Sequence, residues 1–223
     1  MGLAYCFYQL GQDKKALRAL DRALQLDPYN EEALAIKATL QRNSKHLSQQ
    51  DRIETSLETI KTLYAVNQEN SQALNYIADH YFWSWKSLDG VECSVVKGSP
   101  QVMIRGDLKG ELVPSMNLLI GGMLVKIGPT LDCITTDSLI LSSPYQGASA
   151  EHCSIEIRQT KRALELALKA NKLSKINSVK AESYEIVGRC YHYLHNWSHA
   201  KEMLGKSLHS GKNVLAHYEM AQV

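Results

Sequence analysis

The stretch GLAYCFYQLGQDKKALRALDRALQLDP, residues 2–28, decides the fold of this chain. Gly11 divides it and Pro28 ends it, and both residue types are common just after helices. Apolar residues recur at intervals of three and four on the second part, as on one face of an α-helix: Ala16, Leu17, Leu20, Ala23 and Leu24. Small side chains at Ala4 and Ala16 let two helices approach closely. The stretch therefore predicts a helical hairpin whose second helix spans 14–27.

The same spacing returns near the other end of the chain. Counted from Ala4, an aromatic residue stands 3 positions on, a small residue 12, a large apolar residue 16 and another small residue 19. The residues at the same intervals from Gly188 are Tyr191, Ala200, Leu204 and Ser207. A helix–turn–helix unit of about 34 residues with such positions is the signature of the tetratricopeptide repeat (TPR). Arrays of these repeats form solenoids that present extended binding surfaces, so the pattern indicates a protein-interaction function.

Further hairpins continue the array. The predicted helices are 31–42 and 53–66 in the second hairpin, 71–86 and 160–172 in the third, and 181–195 and 197–209 in the fourth. A fifth hairpin begins at Val214. Because the first hairpin lacks its initial residues and the fifth stops within a helix, we expect this sequence to be a fragment of a longer protein.

A long insertion interrupts the third hairpin. The distance from Ala78 to Ala163 is 85 residues where the repeat needs 12, so about 73 residues are inserted. Residues 88–156 hold four of the five prolines and eight of the thirteen glycines. Short β-like runs occur at 91–96, 101–104, 118–119, 124–127 and 139–141. Two hypotheses account for the segment: a lineage-specific loop that extends from the solenoid, or a gene-model artefact in which an intron is read as protein.

These patterns together predict an all-α TPR-type solenoid of antiparallel helix hairpins, with a Gly/Pro-rich insertion inside the third hairpin. Residues 1–86 and 158–223 are assigned to the TPR array. Residues 87–157 are assigned to an irregular insertion, a loop or weak β-structure.

Composition argues against several classes of function. The net charge is +2 and the basic residues are dispersed, which is atypical of a nucleic-acid binder driven by overall charge. The longest apolar run, 118–127, is too short to span a bilayer. Five cysteines without paired spacing suit a reducing compartment. We therefore expect no membrane, no sequence-specific nucleic acid and no small-molecule substrate as a partner, and no cofactor.

Two groups of residues invite a chemical interpretation, but their spacing favours a structural one. His192, His195 and His199 surround a predicted turn, and only one pair is four apart, so we expect polar residues at a helix end rather than zinc ligands. His152 and Cys153 are adjacent, whereas the partners of a catalytic dyad are usually distant in sequence. The sequence thus predicts no metal site and no enzyme.

Helix A of each TPR hairpin lines the concave groove of the array, and its outward positions are candidates for partner contact. These positions are Asn75, Asp79, Glu182, Glu185, Arg189 and Tyr193. Trp83 and Trp85 follow Tyr81 and Phe82 at the end of a predicted helix. They are either core residues or an interface hot spot, because Trp and Tyr contribute strongly to both.

Four stretches resemble one kind of TPR protein: residues 2–28, QALNYIADHYFW, AESYEIVGRCYH and VLAHYEMAQ. They look like the large TPR scaffold subunit of the RNA polymerase II-associated factor (PAF) complex. A Leu-Asn-x-x-Ala-x-His-aromatic-aromatic motif is matched at 74–82, and an Ala-Glu-Ser helix start at 181–183. The long linker of the second hairpin also fits. The resemblance covers about 150 residues, everything except 88–156, which departs from the family pattern.

The resemblance implies a nuclear, non-enzymatic scaffold in a complex that travels with elongating RNA polymerase II and promotes histone modification. Its implied partners are other PAF subunits and the polymerase machinery. The alternative is a generic cytoplasmic TPR adaptor. Co-purification with elongation factors would distinguish the two.

Overall fold

The structure is a computed structural model that describes residues 2–108, 110–211 and 213–223. The helices are α1 Gly2–Gln9, α2 Asp13–Leu26, α3 Glu31–Arg42, α4 Gln49–Val66, α5 Ser71–Trp83, α6 Thr160–Leu173, α7 Asn177–Tyr193, α8 Trp197–Ser210 and α9 Val214–Met220. The strands are β1 Trp85–Val95, β2 Gln101–Arg105, β3 Asn117–Ile120, β4 Met123–Lys126, β5 Ser138–Ile140 and β6 Ala150–Arg158. A short 3₁₀ turn, Leu131–Cys133, precedes β5.

The helices pair in chain order into TPR-like hairpins, as the repeat spacing predicts. Helix α1 packs on α2, α3 on α4, α5 on α6 and α7 on α8, and α9 packs on α8. The small residues of the repeat lie in the contacts, where Ala4, Ala16 and Ala163 are fully or almost fully buried. Within the described residues, no helix is both long and apolar enough to cross a membrane.

An asparagine side chain caps the N-terminus of α3, α5 and α9, each of which begins a hairpin. The side-chain oxygens of Asn30, Asn70 and Asn213 accept hydrogen bonds from the backbone N–H groups of Ala33, Ala73 and Ala216, at 3.0, 3.0 and 3.2 Å. Each bond satisfies one of the donors that a helix leaves open at its N-terminus. All three alanines are fully buried, so the same Asn-x-x-Ala segment both caps a helix and supplies a small residue to a contact.

The insertion is folded, and the all-α prediction does not hold for it. The segment between α5 and α6 forms a six-stranded antiparallel sheet with the order β4-β3-β6-β1-β2-β5. The strands of this sheet show the alternation of buried and exposed residues that is typical of β-structure: in β2, Val102 and Ile104 are buried while their neighbours are exposed. Glycines make the turns, since Gly121 and Gly122 join β3 to β4 with φ of +56° and +79°. Such a two-residue loop needs positive φ, which glycine adopts without strain.

The inserted sheet curls and encloses a core of its own. Its edge strands approach each other, because Ile127 just after β4 bridges Leu141 just after β5. Side chains inside the curl are fully buried: Val102, Leu118, Ile120, Ile127, Leu139 and Ile155. A segment with this packing behaves as a small domain. The choice between a lineage-specific insertion and an intron read as protein stays open until the transcript is sequenced.

A paired stem connects the inserted sheet to the third hairpin. The first strand and the last pair directly, with Trp85 opposite Arg158 and Ser87 opposite Glu156. Residues opposite each other in an antiparallel pair have Cα atoms about 4.5–5.5 Å apart. The insertion therefore returns the chain to its point of departure, and α5 and α6 still pack together. The proposed division at 86/87 and 157/158 lies within this stem.

Candidate partner-binding surface

The eight residues predicted from the repeat geometry and the aromatic run lie on or beside the α5–α7 contact. Asn75, Glu185 and Arg189 are buried. Asp79, Trp85 and Tyr193 are partly buried, while Trp83 and Glu182 are exposed. The structure thus brings the set together, but it gives the members different roles.

Asn75 joins the two helices through a buried amide. Its Nδ2 donates hydrogen bonds to the carbonyl oxygen of Val179 at 3.0 Å and to Glu182 Oε2 at 3.3 Å. Its Oδ1 accepts a hydrogen bond from Ser183 Oγ at 2.8 Å. An amide with both ends satisfied is stable inside a protein, so Asn75 fixes the position of α7 against α5.

Alternating charges connect α3, α5 and α7, which are the first helices of three successive hairpins. Asp79 on α5 forms ion pairs with Arg42 on α3 and with Arg189 on α7, the latter at 2.5 Å between Oδ1 and the guanidinium. Burial opposes the charge on Asp79, but Arg189 and Arg42 outweigh it and hold the pKa of the carboxyl below its usual range. The negative charge of Asp79 is thus shared between two cations, and the two ion pairs link α5 to α3 and to α7.

Glu185 also contacts Arg189, but at a longer distance than Asp79 does. Its Oε1 lies 3.6 Å from Arg189 Nε, and neither atom has a hydrogen-bond partner among the described residues. Burial raises the pKa of Glu185 to about 7, and the attraction of Arg189 offsets it only in part. Near neutral pH this side chain is therefore close to half protonated.

An aromatic cluster surrounds a cation where the solenoid meets the inserted sheet. The Arg158 guanidinium at the end of β6 lies 4.7 Å from the Trp83 ring centroid, 5.1 Å from Trp85, 5.5 Å from Phe82 and 5.7 Å from Tyr193. The Tyr193 hydroxyl donates a hydrogen bond to the Asn117 carbonyl oxygen at 2.9 Å. These contacts anchor the sheet to α5 and α7, so Trp85 and Tyr193 act largely between the two parts of the chain.

Burial alters the groove prediction. Asn75, Glu185 and Arg189 are buried and contact other residues of this chain, and Arg189 also lines a cleft beside Trp83 and Tyr193. Trp83, which is 52% exposed, and Glu182 are the most exposed of the predicted residues.

Sequence reasoning missed Arg42 and Arg158. Arg42 is the last residue of α3, and its partner Asp79 is 37 residues away. Arg158 ends the strand AEHCSIEIR, whose alternating Ile155 and Ile157 are the signal that was available. No spacing rule links either arginine to its partners.

The histidines and the cysteine that the sequence offers as chemical groups make contacts of a structural kind. His152 and Cys153 are consecutive on β6 and therefore face opposite sides of the sheet. His152 is exposed and its Nδ1 lies 2.7 Å from Glu92 Oε2, while Cys153 packs towards the sheet core. In the last hairpin, His192 and His195 pack against the Trp197 ring with centroids 5.1 and 5.3 Å apart.

Comparison with known proteins supports the fold and also gives a local sequence similarity. No protein-family model matches the chain. Residues of this chain are 35% identical over 86 positions to Protein CTR9 homolog of Arabidopsis thaliana, a match that spans 38% of this chain and 7% of that protein. The chain therefore corresponds to a small part of that relative.

Solved structures, among them the following two, align with nearly the whole chain. A thermophilic TPR protein of Thermus thermophilus aligns with a TM-score of 0.50 and 15% identity, over 99% of this chain and 77% of its own. MamA aligns with a TM-score of 0.47 and 12% identity, over 100% of this chain and 82% of its own. The Thermus likeness supports a TPR-like helical solenoid as the fold.

Proposed function

We propose that this chain is part of a non-enzymatic scaffold in a nuclear complex that accompanies elongating RNA polymerase II and promotes histone modification. The observation that carries the proposal is the local identity with the Arabidopsis CTR9 homolog. It agrees with the resemblance of residues 74–82 and 181–183 to the PAF scaffold subunit. The proposed partners are other PAF subunits and the polymerase machinery.

The structure suggests how such a scaffold works. Hydrogen bonds of Asn75 and ion pairs of Asp79 fix α3, α5 and α7 relative to one another. A surface held in this way loses little conformational entropy when it binds. Trp83 lies at the end of this surface and is the best-placed anchor, because exposed tryptophans often dominate interface energies.

The test is affinity purification of the tagged chain from nuclear and cytosolic extracts of its source cells, with mass spectrometry of the bound proteins. The proposal expects PAF subunits or RNA polymerase II in the nuclear sample. Trp83→Ala should reduce their recovery. Trp197→Ala is the matched control, since Trp197 has a similar exposure, 44%, on the second helix of its hairpin.

The outcomes separate the candidates. Cytosolic adaptors alone would indicate a generic TPR adaptor. Loss of binding with Trp197→Ala but not with Trp83→Ala would exclude the surface chosen here, even if the complex is correct.

A second variant asks which part of the chain binds. Residues 87–157 are replaced by a short Gly-Ser turn, which the paired stem permits because its two strands lie side by side. If the TPR surface carries the contacts, PAF subunits are still recovered. Their loss, with helix content retained, would assign the contacts to the inserted sheet.

A further inference from the structure

A cleft of about 320 Å³ lies where the last hairpin meets the inserted sheet. Its walls come from α5, α7, α9 and the sheet. They combine three aromatic side chains, Phe82, Trp83 and Tyr193, with basic side chains that include Lys126, Arg158 and His195. A cleft of this size is at the small end of ligand sites and suits one side chain rather than a cofactor.

Arg158 is the unusual residue in this cleft. Its guanidinium forms no ion pair and donates no hydrogen bond to any residue in the described ranges, and its Nε is buried without an acceptor. Burial lowers the pKa of Arg158, and nearby Arg189 lowers it further. Arg158 as a whole is partly buried, and aromatic faces compensate its partial loss of hydration only in part, so the guanidinium is available to an anion.

The other charges around the cleft do not supply that anion. Glu219 lines the cleft, but its Oε2 lies 3.3 Å from His192 Nδ1. Arg189 is already paired with Asp79. Lys126 is exposed at the end of β4 and has no ion pair within the part of the chain that the structure describes. Arg158 and Lys126 are therefore basic groups of the cleft that have no ion-pair partner among the described residues.

We infer that this cleft binds a phosphorylated side chain of a partner peptide. A phosphate carries about −1.5 to −2 charges and three acceptor oxygens, which suits a cleft lined by Lys126 from β4 and Arg158 from β6. The exposed face of Trp83 can pack against residues that flank the phosphate. A nucleic acid fits less well, since the basic residues do not continue along a surface track and the net charge is only +2.

The inference goes beyond the proposed function and does not depend on it. Any complex that contains this chain could use the cleft, and the test needs only the purified protein. Failure to recover PAF subunits would leave the cleft unaffected, and failure to bind phosphopeptide would leave the scaffold proposal unaffected.

The probe is a fluorescein-labelled pentapeptide, Gly-Ala-phosphoserine-Ala-Gly, followed by fluorescence anisotropy with the full chain. Twins carry serine or aspartate in place of phosphoserine, and an oligo-thymidylate of matched charge tests nucleic acid. The expected result is binding of the phosphoserine peptide at least roughly tenfold tighter than both twins and the oligonucleotide. Equal affinity for the serine twin, or tighter binding of the aspartate twin or the oligonucleotide, would overturn the inference.

Three variants locate the binding. Arg158→Gln should weaken phosphopeptide binding by roughly tenfold. Arg162→Gln is the matched control, because Arg162 also stacks on an aromatic ring, Tyr81 at 4.4 Å, but lies outside the cleft. Lys126→Gln should weaken binding by about threefold, and its exposed position keeps the test valid if Arg158→Gln does not fold. Unchanged affinity in Lys126→Gln together with equal losses in the two arginine variants would refute the site.

Discussion

Replacement of Gly188 by alanine should destabilise the last complete hairpin, although alanine is the better helix former. Gly188 lies in the middle of α7, against α8. A Cβ atom there would lie 2.7 Å from Leu204 Cγ, 2.9 Å from its Cδ2 and 3.2 Å from its backbone nitrogen. Carbon atoms in contact prefer about 3.5–4.0 Å. Leu204 is fully buried, so it has no open space into which to move.

The magnitude follows from two opposing effects. Helix propensity favours alanine over glycine by about 0.8–1.0 kcal/mol. Overpacking of a filled core costs about 1–3 kcal/mol. The cost here should lie at the upper end, because the Cβ atom would be nearly an ångström closer to Leu204 Cγ than carbon atoms prefer and would also approach the backbone nitrogen of Leu204. The expected net effect of Gly188→Ala is a loss of about 1–2 kcal/mol in the free energy of unfolding.

Gly205 on α8 provides the matched control. A Cβ atom there would meet only Met220 Cε at 4.0 Å, so Gly205→Ala should gain the propensity term, about 0.5–1 kcal/mol. Urea unfolding followed by far-UV circular dichroism compares the two variants with the parent. In thermal melting the two variants should differ by roughly 5–10 °C. If Gly188→Ala is as stable as Gly205→Ala, the close α7–α8 contact and the repeat register behind it are wrong.

Three further outcomes are expected. Burial raises the pKa of Glu185 from 4.5 to about 7, so the folded state holds this proton more tightly than the unfolded state, and the contribution of Glu185 to stability falls as pH rises between those values. Urea unfolding at the two ends of that range should show a fall in the free energy of unfolding of the order of 3 kcal/mol that is absent in Glu185→Gln. An equal fall in both proteins would contradict the assignment. Asp79→Ala should lower the free energy of unfolding by about 3–5 kcal/mol, because it leaves Arg189 buried without its closest ion-pair partner. A loss below about 1 kcal/mol in the same assay would show that the ion pair contributes little to stability. Exposed Cys6 should react with a thiol reagent in the native protein, whereas Cys190, whose pKa burial raises to about 12, should react only on unfolding, as peptide mass mapping would show.

The helical hairpins could be predicted because the repeat imposes its requirements locally. A close helix contact needs a small residue on each side, and Ala4, Ala16 and Gly188 meet that need within a fixed number of residues. The Asn-x-x-Ala caps at Asn30 and Asn70 are equally local and were available in the sequence as a second marker of the same helices.

The inserted sheet was only partly predictable. Its β-like runs coincide with β1 to β5, but each is short, and β6 was not predicted although Ile155 and Ile157 alternate with polar residues. The pairing of β1 with β6 joins residues on either side of the insertion, such as Trp85 and Arg158. Contacts at this separation leave no periodic signal, so weak local β-patterns could not reveal a closed core.

The candidate site was predictable by position but not by role. Repeat geometry placed Asp79 and Arg189 on one face, yet it could not show that they bind each other, since they lie 110 residues apart and the insertion accounts for much of that distance. Buried positions on the inner face of a TPR array join successive repeats when the helices lie as close as α5 and α7. Residues beyond that contact, such as Trp83, are more exposed.

The place of the insertion has a consequence for function. Because its stem returns the chain to the end of α5, a sheet with a core of its own is added without separating the helices of the third hairpin. The same stem puts Arg158 beside Trp83 and Tyr193, which belong to the solenoid. Neither part alone contains the cationic, aromatic cleft. An insertion that left the solenoid intact has thus built a composite surface at the junction, and the phosphopeptide experiment tests whether that surface binds.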